Sequence, residues 1–335
     1  SINRVEIWLS TDSTQLSGRQ SGYWNKSIIG APIRVSYDGQ PLDSYTTYYW
    51  KIGYQTSSKQ KTTFSPISSF TTGCLSPDNW KGKWITDKHD ITYRPAPYYR
   101  KSFQLDKTIE QALLTIASAG LHELSINGQR AGNDPMYTHF DKRILSVTHD
   151  VTSLLSLGEN VIGVQLGNGW YNHQSTAVWF FDKASWRNRP KFTAQLHLRY
   201  TDGTTEYLGT DSTWQTTDSP VIFNSIYTAE HYDAQKELAG WDSPGFNATG
   251  WYHAQETESP TETIKSQVMH PIRETARYTA TQCKKINDSC YVYHFPQNIA
   301  GVTELKVKGK KGTKLRLKHG ELLDKNGMVN MANID

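Results

Sequence analysis

Cysteine is scarce. The 335 residues hold three, Cys74, Cys283 and Cys290, at spacings that match no zinc pattern. An odd number argues against a fold framed by disulfides, although Cys283 and Cys290 flank KKINDS at a spacing that allows pairing across a hairpin. Long apolar runs are missing, so the sequence offers no membrane-spanning helix. Charge of one sign does not accumulate either. Lysine and arginine number 36 against 32 acidic residues, a net charge of +4, which leaves no nucleic-acid footprint. The lysine-rich KVKGKKG reads as the solvated side of a hairpin, with phosphate binding as the alternative. HExxH, Walker A, the dinucleotide fingerprint and G-x-S-x-G are all absent. No leader is visible. The chain opens at SINRVEIWLS, already in a strand-like pattern, so a true start upstream is expected.

Aromatic residues are plentiful, at 12% with 11 Trp and 19 Tyr. They suit strands and the C–H faces of sugars, although core packing accounts for most single rings. Strand alternation recurs throughout. Residues 1–73 read as a small sandwich, from Val5, Ile7 and Leu9, then Ile33, Val35 and Tyr37, then Tyr48, Trp50, Ile52 and Tyr54. Residues 74–97 form a connector whose Trp80 and Trp84 imply packing against a neighbour. Residues 98–262 form the largest domain. Asn127-Gly128 after Leu124, Ser125 and Ile126 signals a tight hairpin, Asp150 is placed to cap a short helical turn, and Phe192 to Tyr200 turns at Asp202-Gly203 into a second hairpin with one face buried. Residues 263–335 start another β-domain, with Leu305 and Val307 turning at Lys310-Lys311-Gly312 into Leu315 and Leu317. The fold class is all-β, in tandem sandwich domains. Three sequons, at Asn25, Asn247 and Asn287, are within chance.

Carboxylate pairs that would suit a glycosidase, Glu230 with Asp233 and Glu321 with Asp324, fall where surface turns are expected. The loop NDPMYTHFDKR offers Asp134, His139 and Asp141 near Arg143. Loop oxygens suit Ca²⁺, whereas a turn residue or an Arg143 partner is the plainer role for Asp141. Asn168-Gly169-Trp170-Tyr171 closes a strand, either as a sugar platform or as a bulge under a loop.

The run AGLHELSINGQRAGND, THFDKRILSVTHDVTSLLSLGENVIGVQLGNGWY, continuing to YDAQKELAGWDSPGFNATGW, resembles the N-terminal β-sandwich of bacterial α-L-rhamnosidases. DSYTTYYWKI and DNWKGKWI resemble the fibronectin-type-III-like domain and junction before it, and HFPQNIAGVTELKVKGKKG the β-domain after it. The resemblance implies a fibronectin-III-like sandwich, a jelly-roll-like sandwich of the carbohydrate-binding-module type, and an incomplete third β-domain. It implies a parent enzyme that removes terminal α-L-rhamnose with inversion, using two carboxylates of an (α/α)6 barrel. No helical period here supplies that barrel, so no catalytic residue is placed on this chain, which on its own is expected to be inactive. In some family members the sandwich binds L-rhamnose through calcium. The matching positions are Asp141, Asn188 and Pro190 for the metal, and Asp141, Asn168, Trp170 and Asn188 for the sugar. Lys142 follows Asp141 directly and opposes a cation there. The implied partners are an L-rhamnose-containing oligo- or polysaccharide and a downstream helical catalytic domain of the same polypeptide. The implied location is periplasmic or extracellular. The alternative is a stand-alone carbohydrate-binding or adhesion protein.

Overall fold

A computed structural model describes residues 1–18, 22–132, 143–176, 179–269 and 273–332. The chain is almost entirely β, as its alternation predicts, and no helix among the described residues is long and apolar enough to cross a membrane.

The first unit is one five-stranded sheet. Its strands are β1 (Ile2–Ser10), β2 (Trp24–Ile29), β3 (Thr47–Thr56), β4 (Lys59–Phe64) and β5 (Ser68–Thr71), in the order β2-β1-β3-β4 with β5 also on β3. The short helix α1 (Ser13–Ser17) is capped by Asp12, whose Oδ1 accepts the Thr14 N–H at 2.8 Å, and it buries Leu16. The alternation at Ile33, Val35 and Tyr37 does not make a strand. Pro32 removes a ladder donor, β1 is already flanked by β2 and β3, and Ile33 is fully exposed. In β3 the buried ring is Tyr48, while Trp50 stays half-exposed.

The second unit is a sandwich of two sheets. Its strands are β6 (Ile85–Thr86), β7 (Pro97–Leu105), β8 (Ile109–Ala119), β9 (Leu121–Ile126), β10 (Gln129–Arg130), β11 (Ile144–Asp150), β12 (Gly158–Gly167), β13 (Lys191–Tyr200), β14 (Thr205–Gly209), β15 (Gln215–Asp218), β16 (Val221–Ser225), β17 (Ala229–Tyr232), β18 (Tyr252–His253), β19 (Gln255–Glu256) and β20 (Ile264–Ser266). One sheet runs β10-β9-β12-β7-β15-β18, and the other β19-β6-β13-β8-β11-β20 with β14 on β13. β16 and β17 form a separate hairpin. The inner faces meet through Leu114 and Ile116 of β8, Leu124 and Ile126 of β9, Ile162, Val164 and Leu166 of β12, and Phe192 of β13, which lies edge-on to Tyr99 and Trp214. The Asn127-Gly128 turn forms as the dipeptide predicts, with φ of 52° and 78°. Asp150 ends β11, and its Oδ1 accepts the Thr152 N–H at the start of a single 3₁₀ turn.

β13 departs from its expected one-sided burial, because Lys191 to Leu198 are all buried. Its outer face is covered by the first unit and the connector. The Trp80 indole N–H donates to Thr193 Oγ1 at 2.7 Å. Gln195 accepts from the Lys81 N–H and donates to the Tyr45 hydroxyl and to Asn79 O. His197 stacks on Tyr45, with ring centroids 4.6 Å apart. The polar alternation that reads as a solvent face is here a hydrogen-bonded interface.

Beyond residue 272 the described structure is sparse. β21 (Gln282–Asn287) and β22 (Cys290–His294) form a hairpin. Its register sets Cys283 opposite Tyr293 and Cys290 opposite Asn287, so the two cysteines do not face each other, and all three cysteines are free thiols. The turn at Lys310 to Gly312 forms, but its flanking strands do not. Val307, Leu315 and Leu317 have no partner strand and lie exposed.

Candidate functional site

β12 stops at Gly167, and the chain then crosses one end of the sandwich before re-entering as β13. Gly169 takes φ 51°, which lets the backbone turn sharply after the strand. Asn168, at the turn, is buried. Its backbone N–H donates to Asn224 Oδ1 at 2.7 Å, its Nδ2 donates to Asn224 O at 3.0 Å, and its Oδ1 accepts from Asn172 Nδ2 at 3.2 Å. Asn172 also donates to Ile91 O and accepts from Arg187 Nε at 2.8 Å. An amide ladder therefore ties this crossing to β16 and to the segment after β6, with Asn168 as its strut.

Trp170 is half-buried and sits among rings. Phe181 and Tyr227 meet it edge-on at 5.3 and 5.1 Å, and His173 lies nearly parallel at 6.3 Å. Trp179 and Phe180, on the same crossing, are well exposed. His173 Nδ1, Gln174 Oε1, Asp182 Oδ1 and Asn224 Nδ2 are buried without a protein partner. Such atoms need water or ligand hydroxyls. Burial holds the His173 imidazole below its ordinary pKa, against the pull of Asp182. Rings beside unsatisfied polar atoms make a surface that can hold the apolar and hydroxyl faces of a sugar together.

Asn188 is exposed, and its Oδ1 accepts the Arg189 N–H at 2.7 Å. Its own N–H reaches Tyr171 O at 3.4 Å, which closes the crossing on itself. Pro190 is buried, and its carbonyl accepts from Thr86 Oγ1 at 2.9 Å. Arg189 is anchored below by a two-pronged ion pair with Asp87 at 2.9 and 2.6 Å, and it donates to Tyr93 O and Pro95 O. The structure thus brings Asn168, Trp170, Asn188 and Pro190 onto one crossing, while Asp141, with Asp134 and His139, lies outside the described residues.

The calcium set can be tested in part. Ca²⁺ takes six to eight oxygens. The described residues offer one Asn188 amide oxygen and the Pro190 carbonyl, both already accepting hydrogen bonds, beside the arginines at 187 and 189. Among the described residues no group of three His, Cys, Asp or Glu could hold a metal. These residues alone do not fit a calcium ion, and no step is routed through one.

Of the carboxylate pairs, Glu230 lies inside strand β17, paired with Asn224 of β16, and not in the expected turn, while Asp233, Glu321 and Asp324 lie outside strands. Asp233 accepts the Gln235 N–H, and Asp324 accepts those of Asn326 and Met328. Sequence reasoning did not single out His173, Phe181 or Tyr227. Its one available signal was the triplet Trp179-Phe180-Phe181 in an otherwise polar stretch.

Comparison with known proteins places the whole chain. The family model described as the α-L-rhamnosidase N-terminal domain matches residues 107–276. Residues 4–76 match the Rha78A-like N-terminal immunoglobulin domain, and residues 284–335 the bacterial α-L-rhamnosidase concanavalin-like domain. An α-L-rhamnosidase of Formosa agariphila is 30% identical over 358 residues, spanning 98% of this chain and 37% of that protein. One from Streptomyces avermitilis is 30% identical over 302 residues, spanning 83% of this chain and 29% of that protein. The chain therefore spans about a third of the length of the curated relatives it matches. Among solved structures, the α-L-rhamnosidase of Dictyoglumus thermophilum matches with TM-score 0.80 and 32% identity, over 89% of this chain and 35% of that one. The Streptomyces avermitilis α-L-rhamnosidase complexed with L-rhamnose matches with TM-score 0.89 over 99% of this chain and 49% of that one. At 20% identity this second match speaks for the fold alone.

Proposed function

Because the chain belongs to the family of α-L-rhamnosidase N-terminal domains, we propose that it is the accessory, non-catalytic portion of an α-L-rhamnosidase-like glycoside hydrolase. The observation that carries this reading is one of proportion. Nearly the whole chain, 98%, aligns with 37% of an α-L-rhamnosidase, and what aligns is β-sheet. The partner is a helical catalytic domain of the same polypeptide, and the parent's substrate is a glycan bearing terminal α-L-rhamnose. Such glycans lie outside the cell, so the enzyme works in the periplasm or beyond it.

The 168–190 crossing is the surface that engages the glycan, with Trp170 as the ring under the sugar. Asn188, at the exposed edge, serves as a hydrogen-bonding contact. Asn168 acts from behind, holding the crossing in place. Asp141 is counted in this reading as a further sugar contact. Tethering a weak sugar site to a hydrolase raises the local concentration of substrate without a new catalytic group. The fibronectin-III-like description of the first unit belongs to the same reading.

Two measurements on the isolated chain test this. In native gels containing a rhamnose-rich polysaccharide the chain should be retarded, and in gels containing starch it should run freely. With p-nitrophenyl α-L-rhamnopyranoside it should release no p-nitrophenol. Turnover that follows the purified chain would overturn the accessory role, and equal mobility in both gels would overturn the sugar-binding role.

A further inference from the structure

The outer face of the six-stranded sheet is not a plain solvent face. Successive cross-strand rows can be read from the register. One row runs Arg130, Ser125, Gly163, Arg100, and the next runs Glu123, Gln165, Tyr98. Neighbours in such rows stand about 4.5–5.5 Å apart at Cβ. The 240–251 loop lies over one half of this face. Buried Arg100 pins it, donating from Nε to Trp241 O at 3.0 Å and from Nη2 to Ser243 O at 3.4 Å. Trp241 stacks on Tyr98 with centroids 3.9 Å apart. Gly163 permits this approach, since a Cβ there would stand 2.6 Å from Asp242 Cβ and 3.0 Å from the Trp241 ring.

What remains between the loop edge and β9 is a cleft of about 230 Å³, lined by Glu123, Ser125, Arg130, Gln165, Trp241 and Asp242. Glu123 and Arg130 pair at 3.3 Å along one wall. The indole supplies apolar surface on the other. Carboxylates accept from hydroxyls, while the guanidinium and the amide donate to them. That mixture matches the alternating donors and acceptors of a vicinal diol. The volume is below the roughly 300–1,000 Å³ of drug-sized pockets, which leaves room for a single ring. The two carboxylates of the lining, Glu123 and Asp242, outnumber its one cation, Arg130, a balance that disfavours an anionic sugar.

We propose that this cleft is a second carbohydrate subsite, taking one neutral pyranose ring and excluding uronates. It rests on the accessory glycan-binding reading above but lies on the sheet face, on elements other than the 168–190 crossing. Because Arg100 and the Trp241–Tyr98 stack fix the loop, the subsite is preformed and costs little ordering on binding.

The test is a titration of the ¹⁵N-labelled full chain followed by NMR, with methyl α-L-rhamnopyranoside, methyl α-D-galactopyranoside and methyl α-D-galacturonate as probes. The Trp241 indole and Gly163 amide signals should shift saturably with at least one neutral glycoside and not with the uronate. A Glu123→Gln/Asp242→Asn variant, whose remaining spectrum should superimpose on the parent's, should weaken that response at least tenfold. Silence of both signals with every neutral probe overturns the subsite, as does an equal response to the uronate or an unchanged response in the variant. The Trp170 indole reports the crossing in the same spectra. If Trp170 is silent while Trp241 responds, the crossing fails and the cleft stands, and the reverse pattern sinks the cleft alone.

Discussion

Arg189 and Asp87 bury opposite charges beneath the candidate site, with further donors satisfied by the Tyr93 and Pro95 carbonyls. Removing one partner leaves a desolvated charge, a loss of about 3–5 kcal/mol. Asp87→Ala should therefore lower the unfolding free energy obtained from urea titration by that measure, and a loss under 1 kcal/mol (about a fivefold change in the folding constant) would show that Arg189 finds water instead. Two buried imidazoles give a pH signature. Burial lowers the pKa of both His173 and His197, and Arg199 pushes His197 the same way. In the unfolded chain each takes a proton near pH 6.5, which the folded chain resists. Their contribution to stability is therefore full above that pH and falls as pH drops below it. The melting temperature should fall between about pH 7 and pH 5, and His173→Gln/His197→Gln should flatten the slope. Little of this was legible in the sequence. A lone histidine or arginine carries no mark of burial, and Arg189 and Asp87 are 102 residues apart.

At the scale of elements, local chemistry was legible where the backbone itself dictates it. Asn127-Gly128 and Asp202-Gly203 announce their turns because few other pairs adopt the positive φ found at Asn127, Gly128 and Gly203. Alternation located β1, β3, β12 and β13. It failed at Ile33 to Tyr37 and at Leu305 to Leu317, because alternation describes a strand's faces and says nothing of whether a partner strand stands beside it. Gly163 is the instructive position. Within β12 it reads as a weak point, yet the 240–251 loop rests on it. Gly163→Ala should cost about 1–3 kcal/mol and pull Trp241 away from Tyr98, read as a shift in tryptophan emission. Unchanged stability and emission would mean that the loop yields freely.

On the scale of the whole molecule, the outer face of the seven-stranded sheet is an internal joint. Trp84, Ala117, Ala119, Ile144 and Tyr171 form a second apolar cluster there, with Trp80 and Trp186 against it, next to the hydrogen bonds of Gln195 and the Tyr45–His197 stack. The polar residues of β13 hid this joint from sequence reading, while the tryptophans of the connector pointed to it. Gln195→Leu should loosen the first unit, seen as faster proteolysis within the 74–84 connector while the sandwich resists. Tyr171 belongs to that cluster and Trp170 to the candidate site, so the joint and the candidate site share adjacent residues of one crossing. The crossing is proposed above to bind L-rhamnose. Isothermal titration of the full chain with L-rhamnose, run with Ca²⁺ and again with chelator, tests it directly. The account predicts a saturable heat that Trp170→Ala sharply reduces. No heat at tens of millimolar sugar, or the same isotherm from the variant, would contradict it.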